Sequence, residues 1–285
     1  LPKANRIILV AESDLHGGSR FGLLNPDTRL RSPLGKEYKP TLSDTQEYLW
    51  EVREWGKKEV LKFAEKSPIV LLQVGDVNQG MIYDVDNSLR SQVQIAFMNV
   101  QPWLDTKKVV ALRVDEGTAS HSFGNGSAEQ LLVDFVKERY PNVSASVVSH
   151  GLSNIGGLKV DHAHHGPHYG IREWTRGNVA LYYLRDIMMK DILRGRKPPD
   201  LVLRGHFHSV VEVFHRLSGK DNKVHRSWLW VLPSLCGMNG HALKVTQSEY
   251  EIINGIIAFE ILDGRLRDTL ELTKMLDLRE METIL

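Results

Sequence analysis

Four short apolar runs along the chain each stop at a cluster of glycine and of acidic, hydroxyl or histidine side chains. They are Ile7 to Ala11 in "RIILVAESDLH", Ile69 to Val74 in "SPIVLLQVGDVNQG", Val109 to Val114 in "KKVVALRVDEGTASH", and Leu201 to Leu203 in "PDLVLRGHFH". A near-continuous apolar run of this length predicts a strand buried on both faces. The stretches between the first three runs, "TQEYLWEVREWGKKEVLKFAEK" and "SLRSQVQIAFMNVQPWLD", have amphipathic helical spacing. "SAEQLLVDFVKERY" after the third run predicts another helix, with Ser127 as N-cap and Gln130 at the capping-box position. Strands alternating with helices imply parallel βαβ units, whose ligands gather beyond the carboxyl ends of the strands.

The second half reads differently. "SASVVSHGLSNIGGLKVDHAHH", "VVEVFHRLSGKDNKVHRSWLWVLPS" and "NGIIAFEILDGRLRDTLEL" each predict antiparallel hairpins, the last turning at Asp263-Gly264. Leu23 to Asp44 is Pro-rich and weakly periodic, which predicts a long ordered loop near the end of the first strand. "GRKPPD", Gly195 to Asp200, reads as a linker into the fourth strand. No repeat or break in composition divides the chain, so residues 1–285 are expected to form one domain. An amphipathic tail of uncertain packing is expected from about residue 273 to 285.

Composition narrows the class without naming it. The 285 residues carry a formal net charge of +1, so any nucleic-acid affinity would need a local basic patch. The single cysteine, Cys236, cannot form an internal disulfide and argues against a disulfide-stapled secreted protein. No stretch approaches a membrane span, and the first residues lack a signal-peptide pattern. The chain opens on Leu1 rather than methionine, which leaves room for a missing short leader. The expectation is a soluble cytoplasmic protein with no membrane partner.

The strand ends deliver metal-ligating side chains. The first gives Asp14 and His16, and the second gives Asp76. The third leads to Thr118 and His121, the hairpin after it supplies His162, His164 and His165, and the fourth run gives His206 and His208. Carboxylate oxygen and imidazole nitrogen without thiolate suit Mn²⁺, Fe or Zn²⁺. On extended backbone, residues i and i+2 project to the same side, so Asp14/His16 and His206/His208 are each expected to enter one pocket. His150, His215, His225 and His241 lack such company and read as structural or surface residues.

The ordered set Asp-X-His, Gly-Asp, a histidine motif after the third strand, a later His pair and Gly-His-X-His resembles the signature of calcineurin-like metallophosphoesterases. The resemblance is closest to phage and prophage members, in "SDLHGGSRFGLLNP", "QEYLW", "GTASH" followed by Glu129, "HHGP", and "PDLVLRGHFH" with a later "LPSL". It runs from about Ile7 to Leu235. It implies an α+β fold of α/β type, a four-layer α/β/β/α sandwich of two mixed β-sheets flanked by helices. It also implies two divalent ions, Mn²⁺ first among Mn²⁺, Fe, Zn²⁺, Ni²⁺ and Mg²⁺. Asp14, His16 and His208 would bind one ion, and Asp76 would bridge to a second held by His164 and His206. His165 is the alternative to His164. Most relatives have Gly-Asn-His-Asp/Glu after the third strand, whereas this chain, like the phage group, has Gly117-Thr118-Ala119-Ser120-His121. Thr118 and Asn78 are therefore secondary candidates near the second ion, Asp115-Glu116 is a substitute ligand source, and His121 is the candidate catalytic acid.

The implied activity is a metal-dependent hydrolase of phosphoric esters: hydroxide attack on phosphorus, with the ions clamping phosphate oxygens and His121 protonating the leaving oxygen. The expected substrate is a phosphodiester, with single-stranded or nicked DNA and hence a phage nuclease in a bacterial host cytoplasm as the leading case. Arg20 and Arg172 are substrate-binding candidates, among Arg29, Arg31, Lys36, Lys39 and Arg176, with Phe21, Tyr38, Tyr169 and Trp174 placed to stack on bases. The alternatives are a nucleotide or small-molecule phosphoesterase, and a non-catalytic binding module on the same fold.

Overall fold

In the computed structural model, residues 5–82, 88–123, 127–168, 175, 177–219, 223–238 and 250–279 are described. The four apolar runs are strands β1 (Arg6–Glu12), β4 (Ile69–Gln73), β5 (Val109–Asp115) and β9 (Leu201–Arg204). β1, β4, β5 and β6 (Ser144–Val148) run parallel, and β12 (Glu251–Leu262) and β13 (Arg265–Asp277) extend the sheet antiparallel beyond β1. The order is β13-β12-β1-β4-β5-β6. A second sheet has the order β10-β11-β9-β8-β7, from β7 (Gly151–Ile155), β8 (Leu158–Ala163), β10 (Val211–Ser218) and β11 (Val224–Val231). In it β8, β9 and β11 are parallel and both edge strands antiparallel. A small hairpin, β2 (Leu30–Arg31) with β3 (Glu37–Tyr38), lies inside the long loop after β1.

Three buried seams define four layers. Helices α1 (Asp44–Ala64), α2 (Leu89–Leu104) and α3 (Ala128–Arg139) bury Leu49, Val60, Phe97, Trp103 and Leu132 against Ile8, Val10, Leu71 and Leu112 of the first sheet. The opposite face of that sheet, with Leu9, Leu72 and Phe259, meets Val160, Leu203 and Trp230 of the second. Helix α4 (Asn178–Leu193) closes the far side, pressing Ala180, Leu184 and Met188 on Val202, Leu229 and Val231. The α/β/β/α order matches the expected sandwich, and alternate residues along β1 and β4 face the two seams.

Local chemistry sets the element ends. Ser43 caps α1 by accepting from Gln46 N–H, while the Gln46 side chain accepts from Ser43 N–H, a reciprocal capping box. Ser127 caps α3 as expected, but the Gln130 amide donates to Asp134 instead of closing a box. The Asp263-Gly264 turn joins β12 to β13 with both residues in the left-handed region, as a two-residue hairpin requires.

Two expectations are corrected and one element is added. β6 pairs parallel with β5, so only β7 and β8 form the hairpin expected from residues 144 to 165. Ahead of the linker into β9 lies a full helix, α4, in a stretch for which the sequence pattern carried no expectation. The tail does not begin at 273: residues 273–277 complete β13, and 280–285 lie outside the described residues.

Candidate metal centre

Strand ends from both sheets meet at one point. Asp14 and His16 follow β1, Asp76 follows β4, Thr118 and His121 follow β5, His164 follows β8, and His206 and His208 follow β9. Ligand atoms within each of three groups lie within 4.8 Å of one another: Asp14, Asp76, His164 and His206; Asp14, His16 and His208; and His16, Asp76 and His121. The first group, buried except for half-buried His206, can hold a metal ion.

The convergence arises differently from the expected extended backbone. Strands β1 and β9 end at Glu12 and Arg204, and Asp14, His16, Asp76, His206 and His208 all adopt positive φ, between 47° and 75°. They are five of the eight described non-glycine residues in that region. Each such residue costs about 1–3 kcal/mol, and strain of this kind persists where surrounding contacts over-determine it. Those contacts are visible. His206 N–H donates to Asp14 Oδ2 (3.0 Å), and Ser13 Oγ donates to the same oxygen (2.5 Å) and touches Val74 O (2.9 Å). Thr118 N–H donates to Asp76 Oδ1 (2.7 Å), and a Cβ on Gly117 would fall 2.0 Å from that oxygen.

Charge at the centre is poised for a cation. Burial alone would raise Asp14, but the imidazoles of His208 and His164 hold its carboxyl well below the usual range. Asp76 is likewise lowered against its burial, by His164, His16 and His121. Burial would lower His164, yet Asp14 and Asp76 raise it to about 9, so in the metal-free protein it carries a proton at neutral pH. His206 is pushed down to about 4 by burial and by His164, which keeps it neutral and able to ligate. His164 Nδ1–H donates to Val74 O (2.7 Å), aiming Nε2 at Asp76 Oδ2, 2.9 Å away. That contact is not aligned as a hydrogen bond, and His16 Nδ1 is also buried without a hydrogen-bond partner among the described residues. Two carboxylates facing one proton and unpartnered ring nitrogens form a donor set that a divalent ion would complete.

The structure sorts the remaining candidates. His164 faces the cluster, whereas His165 is exposed and packs its ring on His206 at 4.5 Å. Thr118 is committed to Asp76, its Oγ1 lying 3.4 Å from both carboxylate oxygens. Asn78 is buried beside the site with neither amide atom hydrogen-bonded among the described residues. His162 stands apart: its Nδ1–H donates to Asp115 (2.6 Å) and its Nε2 meets Ser153 Oγ at 2.9 Å. Asp115 is thereby engaged, and Glu116 accepts from Ser149, so this pair does not reach the cluster. Arg20 is exposed and, with Tyr38, lines a cavity of about 390 Å³ beside the loop after His16, floored by Leu24, Leu30 and Ile95. Arg29 pairs with Glu37 (3.6 Å) and Lys39 with Asp27 (3.9 Å). Tyr169, Arg172, Trp174 and Arg176 lie outside the described residues.

Residues without an obvious chemical signature hold the site from behind. Glu12 is fully buried and accepts from Arg53 Nε (3.1 Å), Trp103 Nε1 (2.8 Å) and Gln73 Nε2 (2.7 Å). Arg53 also donates to Asn99 O (2.7 Å), and the Asn99 amide donates to Leu23 O (2.8 Å). In the sequence this network shows only as a lone arginine mid-helix, in "EVREW", with nothing to mark its burial.

Fold and centre together define a four-layer α/β/β/α protein with a buried aspartate–histidine cluster at the carboxyl ends of strands from both sheets. Comparison with family models and with curated proteins returns no match. Among the described residues, no helix is long and apolar enough to cross a membrane.

Proposed function

We propose that the protein is a metal-dependent phosphoesterase, acting on phosphodiesters and most directly on DNA. The observation that carries this reading is the overlap of three ligand groups through shared Asp14, His16 and Asp76, which suits a closely spaced pair of ions better than one isolated site. Asp14, His16 and His208 would hold one ion, His164 and His206 the other, and Asp76 would be shared between them. Bound there, divalent ions such as Mn²⁺ supply an activated water and neutralise charge on phosphate oxygens.

The chain itself supplies the positioning. Thr118 N–H fixes Asp76 and His206 N–H fixes Asp14, so neither carboxylate swings when the site fills. Exposed His165, its ring tilted against that of His206, stands beside the centre with a ring N–H for a phosphate oxygen. Arg20 and Tyr38 on the neighbouring cavity offer a cation and a ring to the groups flanking that phosphate. A nucleotide or small phosphate ester would use the same centre without the cavity.

The test is hydrolysis of bis-p-nitrophenyl phosphate and p-nitrophenyl phosphate by Mn²⁺-loaded protein, followed by linear single-stranded, duplex and circular DNA. The expected result is diester cleavage that EDTA abolishes and that His164→Ala reduces at least about 100-fold. Protein that retains Mn²⁺ yet turns over neither ester would overturn the enzyme reading in favour of a binding module.

A further inference from the structure

We infer that His121 is a metal ligand, joining His16 and Asp76 around one ion, rather than a proton donor. The inference rests on the metal centre alone and stands independently of which ester, if any, is cleaved. His121 lies on a single turn of 3₁₀ helix, Ala119–His121, closed by His121 N–H donating to Thr118 O (3.0 Å). Its Nδ1–H donates to Gln79 O at 2.7 Å, which directs the lone pair at Nε2 inward. His164 is set by the same device, Nδ1–H to the Val74 carbonyl at 2.7 Å. A histidine whose second nitrogen donates to a backbone carbonyl is the usual arrangement of a metal-bound imidazole.

Position agrees with orientation. Nε2 of His121 lies 3.9 Å from Asp76 Oδ2, and its ring meets that of His16 edge-on at 4.4 Å between centroids. Neither contact is a hydrogen bond, and the ligand atoms of His121, His16 and Asp76 lie within 4.8 Å of one another, close enough for one ion to be held among them. The Gln79-Gly80 backbone locks the ring in place. A Cβ on Gly80 would come within 2.6 Å of the His121 main chain, and Gln92 brackets Gly80 by accepting from its N–H and donating to its carbonyl, both at 2.9 Å. An imidazole and a carboxylate suit Mn²⁺, Fe²⁺ or Zn²⁺.

The experiment is calorimetric titration of the full chain with Mn²⁺ alone, comparing wild type with His121→Ala. His121→Ala is expected to lose at least about tenfold in affinity for one ion, with its thermal melt in EDTA unchanged. His121→Cys is expected to recover binding of Cd²⁺ with a thiolate-to-metal absorption band that wild type lacks. Equal Mn²⁺ affinity and stoichiometry in wild type and His121→Ala, with no band in His121→Cys, would overturn the inference while leaving the other ligands in place. A wild-type chain that binds neither Mn²⁺ nor Zn²⁺ would overturn the metal centre and this inference together. A chain that binds metal through His121 yet cleaves nothing would overturn only the proposed activity.

Discussion

At the residue scale, the site is built from side chains whose ordinary ionisation has been rearranged by proximity. His164 sits between Asp14 Oδ1 at 3.7 Å and Asp76 Oδ2 at 2.9 Å, and its pKa rises to about 9. Its folded value lies above its unfolded one, so the stabilisation it provides is complete below about pH 6.5 and is lost as pH rises through about 9. Asp14 and Asp76 are shifted the other way, so their contributions disappear only on strong acidification. His206, lowered to about 4, also titrates below this window. Urea unfolding of wild type in EDTA should therefore show stability falling between pH 6.5 and 9, by at most about 1.4 kcal/mol per pH unit. His164→Gln should flatten that slope. A wild-type curve that stays flat would mean that the imidazolium–carboxylate contacts do not exist in the metal-free protein.

At the scale of elements, the strand ends depend on Arg53, which reaches from α1 to Glu12 at the last residue of β1 and to the Asn99 carbonyl of α2. Both side chains of the Arg53–Glu12 pair are fully buried. Removing one partner strands the other charge, a loss of about 3–5 kcal/mol. Arg53→Met is expected to cost that much in chemical denaturation, and Arg53→Met with Glu12→Gln to recover part of it. Additive losses in the double variant would show that the pair is not coupled. Such a network is hard to read from sequence, because a lone arginine in an amphipathic helix looks like its solvent face. What was legible had a strong period or a strong chemical identity. The apolar runs located β1, β4, β5 and β9 within a residue or two, and the carboxylates and imidazoles at their ends named the cluster. The sheet that would take β6 was not legible, since Ser144–Val148 is half-buried and short, and pairing is decided by tertiary contacts. Nor was the left-handed backbone at Asp14, His16, Asp76, His206 and His208, because only glycine announces positive φ by its identity.

At the scale of the whole molecule, the centre joins two sheets that also meet through apolar packing and the buried His162–Asp115 contact. Asp14, His16, Asp76 and His121 come from the first sheet, and His164, His206 and His208 from the second. Without a cation, this junction keeps two carboxylates largely dehydrated against one imidazolium, in backbone conformations that each carry strain. An ion that binds the folded state alone stabilises it by about 2.7 kcal/mol when present at 100 times its Kd. For a chain of this size, that corresponds to a rise in Tm of about 4–5 °C. Thermal melts with Mn²⁺ at that excess should show the rise, and EDTA should reverse it. Asp76→Ala, which removes a carboxylate common to two of the three ligand groups, should show little or none. Because both sheets contribute ligands, the shift should move the whole cooperative transition rather than add a separate late phase. A second transition that alone responds to Mn²⁺ would mean that the ion stabilises one sheet's loops locally and does not clamp the two sheets together.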